Sequence, residues 1–366
     1  MSGKKLVCFH LFNDYSGSPK VLKMVLEGML RKGYRIDLVS SKGGVLDELL
    51  SYENLHKHTY PYRFSNNPAM TMLRYCAVQL YTFLLAFRWL FQKDVVFYIN
   101  TLLPVGPALA GRLMGKRVVY HYHENAFVKG AFYKTLAFLM QKLAHEIICV
   151  SAYQASFLQR KKGVTVIPNA LPKEFTDRLH PNPETAFERK TVLMLSSLKE
   201  YKGTREFIEL AEKLPQYKFV LVINDSEENI NNYLAANKLH DLTGGVNLTI
   251  YPRQADVTSF YNTVTIVIVL TNPRQAVETF GLTALEAMSA GLPVIVPTQG
   301  GIAEMVEDGN NGYKIDVQEL DAVGKHICVL LDNKELYIRM ANNALLFSAG
   351  FDSEKVVTKL TPIIKI

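Results

Sequence analysis

Little in the 366-residue sequence marks it for secretion, cross-linking or cysteine-based metal binding. Its four cysteines, Cys8, Cys76, Cys149 and Cys328, lie far apart and mostly in apolar runs. That spacing speaks against a disulfide frame and fits reduced core thiols of a cytosolic protein. The opening MSGKKLVCFHLFND passes from two lysines into a strand-like run with no small-residue cleavage site, so no signal peptide is expected. The longest uncharged apolar stretch, Tyr75 to Phe87, has 13 residues, which reads as too short to span a bilayer. Low-complexity tracts, short repeats and nucleic-acid modules are also missing. With 48% hydrophobic and 20% charged residues, the chain has an ordinary globular composition. Its length fits two domains of about 150 to 200 residues each, and a two-domain enzyme with a cleft is the default expectation.

Charge is unevenly spread. Residues 1–170 carry 22 Lys and Arg against 9 Asp and Glu, whereas residues 171–366 carry 19 against 25. The first part is thus +13 and the second −6, consistent with the overall +7. A basic half suggests an anionic partner such as a membrane surface or a phosphate-bearing acceptor, although a merely solvated surface would carry the same charge.

Apolar runs alternate with helical patterns along the whole chain. Strands are expected at 5–11, 35–40, 95–99, 118–121, 147–150 and 164–167, with helices at 19–31, 107–114, 132–143 and 153–159. Ser18 and Pro19 would cap and open the first helix. Residues 171–189, with three prolines and mixed charge, read as a linker. The pattern then restarts, with strands at 192–195, 219–223, 248–251, 266–270 and 294–296 and helices at 204–213, 226–237, 257–261 and 283–290. Such alternation implies two doubly wound parallel sheets, 1–170 and 190–350.

The densest signal is ETFGLTALEAMSAGLPVIVPTQGGIAEMVEDGNNG, from Glu278 to Gly312. It follows a strand and opens a helix, the place beyond the carboxyl ends of strands where open parallel sheets bind ligands. Gly281 would let the backbone approach a ligand, and amides at the helix start could receive a diphosphate. Glu278 would lie in the loop and Glu286 about two turns further on, roughly 12 Å along the axis, so the two cannot share a proton. As pure acceptors they could grip hydroxyls at opposite ends of an extended ligand. Two surface carboxylates near a helix N-terminus are the plainer alternative.

Glu278, Phe280, Gly281 and Glu286, followed by Gly291-Leu292-Pro293-Val294 and Gly300-Gly301, resemble the signature of the retaining GT-B glycosyltransferases of family 4. The resemblance implies two Rossmann-like domains facing across a cleft and a nucleotide-sugar donor. It also implies that Glu278 contacts the sugar, the Phe280-Gly281-Leu282 backbone the phosphates and Glu286 the ribose. Lys202 and Gly203 match the family's Lys-Gly pair, with Lys202 at the phosphates, but Ser197 stands where the family has an arginine. Arg274 is one replacement for that charge, and Arg253 could stack on the base or pair with phosphate. Gly17, in Ser16-Gly17-Ser18-Pro19, is all that remains of the family's first-domain glycine pair. His123, beside Glu124, aligns with the family's His-Asp-like pair and could contact the transferring sugar or acceptor, a structural histidine being the alternative. His121 and His123 would share one side of a strand, which also suits metal ligation, but no further Cys/His cluster supports a metal. Pro168-Asn169-Ala170 matches the family's interdomain crossing, and the resemblance implies that a last helix within 351–366 could cross back to the first domain.

The expected activity is retaining transfer of a sugar to an acceptor hydroxyl in polysaccharide or glycolipid biosynthesis, with Glu278, His123 and Lys202 in the chemistry. No cofactor or metal is expected, since the sequence lacks Asp-x-Asp. The acceptor would be a glycan or a lipid-linked glycan. The enzyme is expected in the cytoplasm, where residues 75–89, flanked by Arg74, Arg88 and Lys93, could lie on the inner membrane face, a helix packed on the sheet being the alternative. A nucleotide-sugar epimerase or hydrolase, or a non-catalytic nucleotide-sugar sensor, are the alternatives.

Overall fold

The computed structural model describes residues 5–239 and 247–365, and the chain divides into two compact units: residues up to Ala170 with those from Asp352 onward, and Leu171–Phe351. The final residue of the closing segment, Ile366, lies outside the described residues.

In the first unit, β1 (Lys5–Phe9), β2 (Arg35–Ser41), β3 (Leu55–Tyr60), β4 (Val95–Asn100), β5 (Arg117–Tyr122), β6 (Glu146–Cys149) and β7 (Val164–Val166) form one parallel sheet in the order β3-β2-β1-β4-β5-β6-β7. All six residues of β4 are buried. Strands covered on both faces read as continuous apolar runs, which is why most were visible in the sequence. The exception is β3, LHKHTY, an edge strand whose half-exposed polar residues hide it. The first helix, Gly17–Arg31, opens two residues before the expected start. Its cap position is Ser16, not Ser18, and the Ser16 N–H and hydroxyl both donate to Asp14 Oδ1, at 3.0 and 2.6 Å. The closing helix Ser353–Ile363 packs on that helix: Lys32 Nζ donates to Thr358 Oγ1 at 3.0 Å, and the Arg117 guanidinium reaches the Ile363 carbonyl at 3.1 Å.

The second unit repeats the plan. Strands β8 (Thr191–Ser196), β9 (Lys218–Ile223), β10 (Leu248–Tyr251), β11 (Ile266–Ile268), β12 (Val294–Val296) and β13 (Gly312–Lys314) pair in parallel in the order β10-β9-β8-β11-β12-β13. Residues 171–189, expected as a linker, hold two short helices, Lys173–Thr176 and Pro183–Glu188. Asn182 caps the second of them through the Thr185 N–H, and Pro183 takes its first position. Helices Leu320–Asp332 and Lys334–Ser348 complete the cover.

In both sheets the strand order reverses beside the first strand, between β1 and β4 and between β8 and β11. Connections leave such a pair in opposite directions, so a crevice opens at their carboxyl ends.

Candidate active site

In the second unit the loops after β8 and β11 flank the switch point. They are laced together. The Asn272 N–H donates to the Tyr201 carbonyl at 2.8 Å, and Gly203, at φ 74°, lies so close that a Cβ there would stand 2.4 Å from Leu270 Cβ. This lacing brings Lys202 Nζ onto Glu278 Oε1, and the Thr271 hydroxyl donates to the same oxygen at 2.9 Å. Burial pushes the Glu278 carboxyl up, but the Lys202 ammonium, helped by Thr271 and Lys199, outweighs it and holds the group below its ordinary value. Glu278 is therefore a positioned, ionised acceptor. An ammonium has three donors, so Lys202 keeps two beyond this bond for an anionic ligand.

The chain then turns at Gly281, φ 96°, the cap position of helix Leu282–Ser289. A side chain at Gly281 would put its Cβ 2.5 Å from Ile302 Cγ1, and Phe280 is buried against Phe351. The Glu278 carbonyl accepts the Gly301 N–H at 2.8 Å, so the Gly300-Gly301 pair braces the loop that carries the carboxylate. With Leu282 these residues open the helix shortly after the carboxylate that Lys202 holds, and helix starts favour anions. Glu286 lies farther along the helix, where the hydroxyl of buried Tyr261 donates to its Oε2 at 2.5 Å.

The remaining donor-side residues are less tightly gathered. Ser197 offers its carbonyl to the Thr204 hydroxyl at 3.4 Å. Arg274 is exposed on the β11 loop, its N–H on Asn272 Oδ1. Arg253 is tied to the loop after β9, with Nε on Asn224 Oδ1 at 2.8 Å. Lys199 and Lys202 lie 5.8 and 5.9 Å from the centre of the Tyr201 ring. Sequence reasoning missed Tyr261, Thr271 and Lys199. Tyr261 is 25 residues from the carboxylate it holds, and no spacing rule would find it.

In the first unit the strand ends at the switch point gather histidines. Asn100 closes β4, and Thr101 after it takes the left-handed backbone conformation, φ 73°, a strained state for a β-branched residue. The Asn100 side chain lies 3.0 Å from both His123 Nε2 and His10 Nδ1. His121 sits beneath, its ring 4.1 Å from that of His123 and its Nδ1 2.7 Å from Tyr98 Oη. Burial pushes His10 down to about 4 and His121 down to about 3, and His123 is lowered by burial and by its two histidine neighbours. All three are neutral at pH 7, which suits His123 to exchanging hydrogen bonds with hydroxyls rather than carrying charge. Glu124 points its Oε2 at the Leu102 N–H, 3.1 Å away, so it anchors the loop after β4. Gly17 is exposed at the start of its helix.

Residues 176–346 match the model of the glycosyl transferases group 1, and residues 15–175 match that of Glycosyltransferase Family 4, which together take in nearly the whole chain. The chain is a group 1 glycosyltransferase. An uncharacterized glycosyltransferase of Haemophilus influenzae is 24% identical over 368 residues, 96% of this chain and 98% of that protein. HepE of Anabaena, solved with UDP and glucose, superposes with a TM-score of 0.77 at 19% identity over 98% of each chain. WaaG, a glycosyltransferase involved in lipopolysaccharide biosynthesis, gives 0.70 at 16% identity, covering 98% of this chain and 99% of that one. These likenesses establish the GT-B fold. As a member of that family the chain is a nucleotide-sugar-dependent glycosyltransferase.

Proposed function

We propose that the enzyme transfers sugar from a uridine-diphosphate sugar to a hydroxyl of a glycan or lipid-linked acceptor, with retention at the anomeric carbon, on the cytoplasmic face of a membrane. The observation that carries this reading is the Lys202–Glu278 pair beside the Gly281 helix start. It sets a cation and amide dipoles where a departing diphosphate would sit, next to an ionised acceptor for sugar hydroxyls. Uridine is favoured because the HepE relative was solved with UDP and with UDP-glucose.

In the proposed step the bond from the anomeric carbon to the diphosphate oxygen breaks and a bond to the acceptor oxygen forms on the same face. The acceptor's proton passes to the leaving phosphate. Lys202 and the amides at Gly281 and Leu282 take up the charge that develops there, with Ser197, Arg253 and Arg274 on the rim of the donor site. Within the second unit Glu278 orients the sugar hydroxyls and Glu286 holds the ribose; in the first unit neutral His123 is the group suited to a hydroxyl of the acceptor. The step needs no metal in this reading. Turnover unaffected by EDTA is the expected result.

The test is incubation with a panel of UDP-, GDP- and ADP-sugars, with and without membrane lipid extract. Nucleotide release that requires acceptor, and a product with the donor's anomeric configuration by NMR, are expected. Inversion would overturn retention. Acceptor-free release would support a hydrolase, and binding without turnover a sensor.

A further inference from the structure

The first unit carries an apolar surface that the reaction does not use. Helix Pro68–Ala86 and the turn that follows it, to Trp89, make 22 residues, long and apolar enough by length and composition to cross a membrane. Arg74 and Arg88 had bounded the uncharged stretch at 13 residues in the sequence. Only a narrow stripe of this helix is buried: Tyr75, Val78, Thr82 and Ala86, continued by Trp89. The opposite face exposes Leu73 (64%), Leu80 (62%), Leu84 (60%) and, beyond the turn, Phe91 (91%). These recur at spacings of seven, four and seven residues, one side of a helix. Leu109 and Leu113 on the adjoining helix Val105–Leu113 are also exposed.

The helix is pinned flat along its length. The Tyr75 hydroxyl donates to the Leu103 carbonyl at 2.9 Å, and Gln79 Oε1 accepts the Gly106 N–H at 2.9 Å. A Cβ at Gly106 would stand 2.2 Å from the Gln79 carbonyl oxygen. At the far end Trp89 Nε1 donates to Asp37 Oδ2 at 2.6 Å, and Lys116 Nζ holds the Leu90 carbonyl at 3.1 Å. Crossing a bilayer would break all of these.

Charge decides what covers the strip. Residues 54–145 carry 11 Lys and Arg against two acids, Asp94 and Glu124. Glu124 is turned to the Leu102 amide, whereas Arg74, Arg88, Lys93 and Arg112 are exposed around the apolar residues. Two copies would set these cations against each other. An anionic lipid surface would accept the cations at its headgroups and the leucines and Phe91 below them. We propose that this helix lies in the interface of an anionic membrane as a non-spanning anchor, presenting the first unit to a lipid-borne acceptor. The acceptor clause rests on the function proposed above, but the anchor does not.

The experiment is flotation of the full chain with phosphatidylcholine vesicles, with and without phosphatidylglycerol. Binding is expected only to the anionic vesicles, weakening with salt. The L80D/L84D double variant should lower the vesicle partition by at least about tenfold. Arg74→Glu with Arg88→Glu should lower it at low salt but not change the residual binding at high salt. UDP affinity, read by calorimetry on the same samples, should be unchanged in every variant. UDP binding without flotation would thus sink the anchor alone, and flotation without UDP binding would sink the donor reading alone. The anchor is overturned by absence from anionic vesicles at low salt, by a lipid-free dimer that L80D/L84D dissolves, or by retention in the membrane after alkaline carbonate, which would mark a span.

Discussion

Replacing Lys202 with methionine removes the cation but keeps most of the stem. Lys202 and Glu278 are each about one quarter exposed, so the pair is worth only ~1 kcal/mol of folding stability, between the values for exposed and buried ion pairs. The variant should fold. Catalysis should suffer more, because the ammonium acts where charge develops on the diphosphate. Loss of one such preorganised donor costs about 10²–10³ in kcat, or roughly 3–4 kcal/mol. A second consequence separates this role from a structural one. Burial pushes the Glu278 carboxyl up and Lys202 is the main opponent, so in Lys202→Met the carboxyl titrates at higher pH than in the wild type. With its value depressed, the wild-type carboxylate persists well into the acid range and is lost only as pH falls through that lowered value. The acid limb of the kcat profile should therefore move to higher pH in Lys202→Met and return in Lys202→Arg. Initial rates of nucleotide release at saturating donor across pH give both numbers. A wild-type kcat with an unmoved acid limb would refute the reasoning.

The two glutamates should separate in binding assays. Glu286→Ala should weaken UDP binding by about tenfold, the cost of one hydrogen bond to a charged group, whereas Glu278→Ala should spare UDP and depress transfer; equal effects would sink the assignment. Tyr261→Phe, which removes only the hydroxyl that holds Glu286, should weaken UDP binding in the same direction but less, as calorimetry would show. Low pH should destabilise the first unit. The folded chain keeps His10 and His121 neutral, so below the ordinary histidine value of 6.5 the unfolded chain binds protons that the folded chain does not, and stability falls as pH drops toward about 4. Each should cost roughly 2–3 kcal/mol at pH 4.5, and denaturant melts of His121→Gln should show a flatter pH dependence than the wild type; an identical slope would refute it.

The two sheets were legible because strands buried on both faces leave runs such as VVFYIN and KFVLVI, which no polar face interrupts. The edge strand LHKHTY failed for the converse reason, and the helix Pro68–Ala86 was read too short because Arg74 and Arg88 bound its uncharged stretch. The donor loop was legible in its glutamates and glycines, since a carboxylate eight residues from another around a tight turn is a local pattern. What a sequence does not display is which distant group each carboxylate meets. Tyr261 under Glu286, Lys202 on Glu278 and Asn100 between His10 and His123 are all joined by the fold rather than by spacing.

The serine at position 197 shows the same limit from the other side. An arginine is expected there, and sequence proximity to Glu278 makes Arg274 its natural substitute. The geometry favours a different residue. Lys199 is among the charges that hold the Glu278 carboxyl down, and its ammonium flanks the Tyr201 ring at nearly the distance of Lys202. The Tyr201 carbonyl is in turn bonded to the Asn272 amide of the β11 loop, so the ring and both lysines belong to the segment locked against that loop. In the proposed donor site Lys199 would then stand in for the charge missing at Ser197. An ammonium there would meet a phosphate as a point charge, without the two-pronged grip of a guanidinium, so UDP binding should weaken as salt rises, and an affinity unmoved by salt would refute that role.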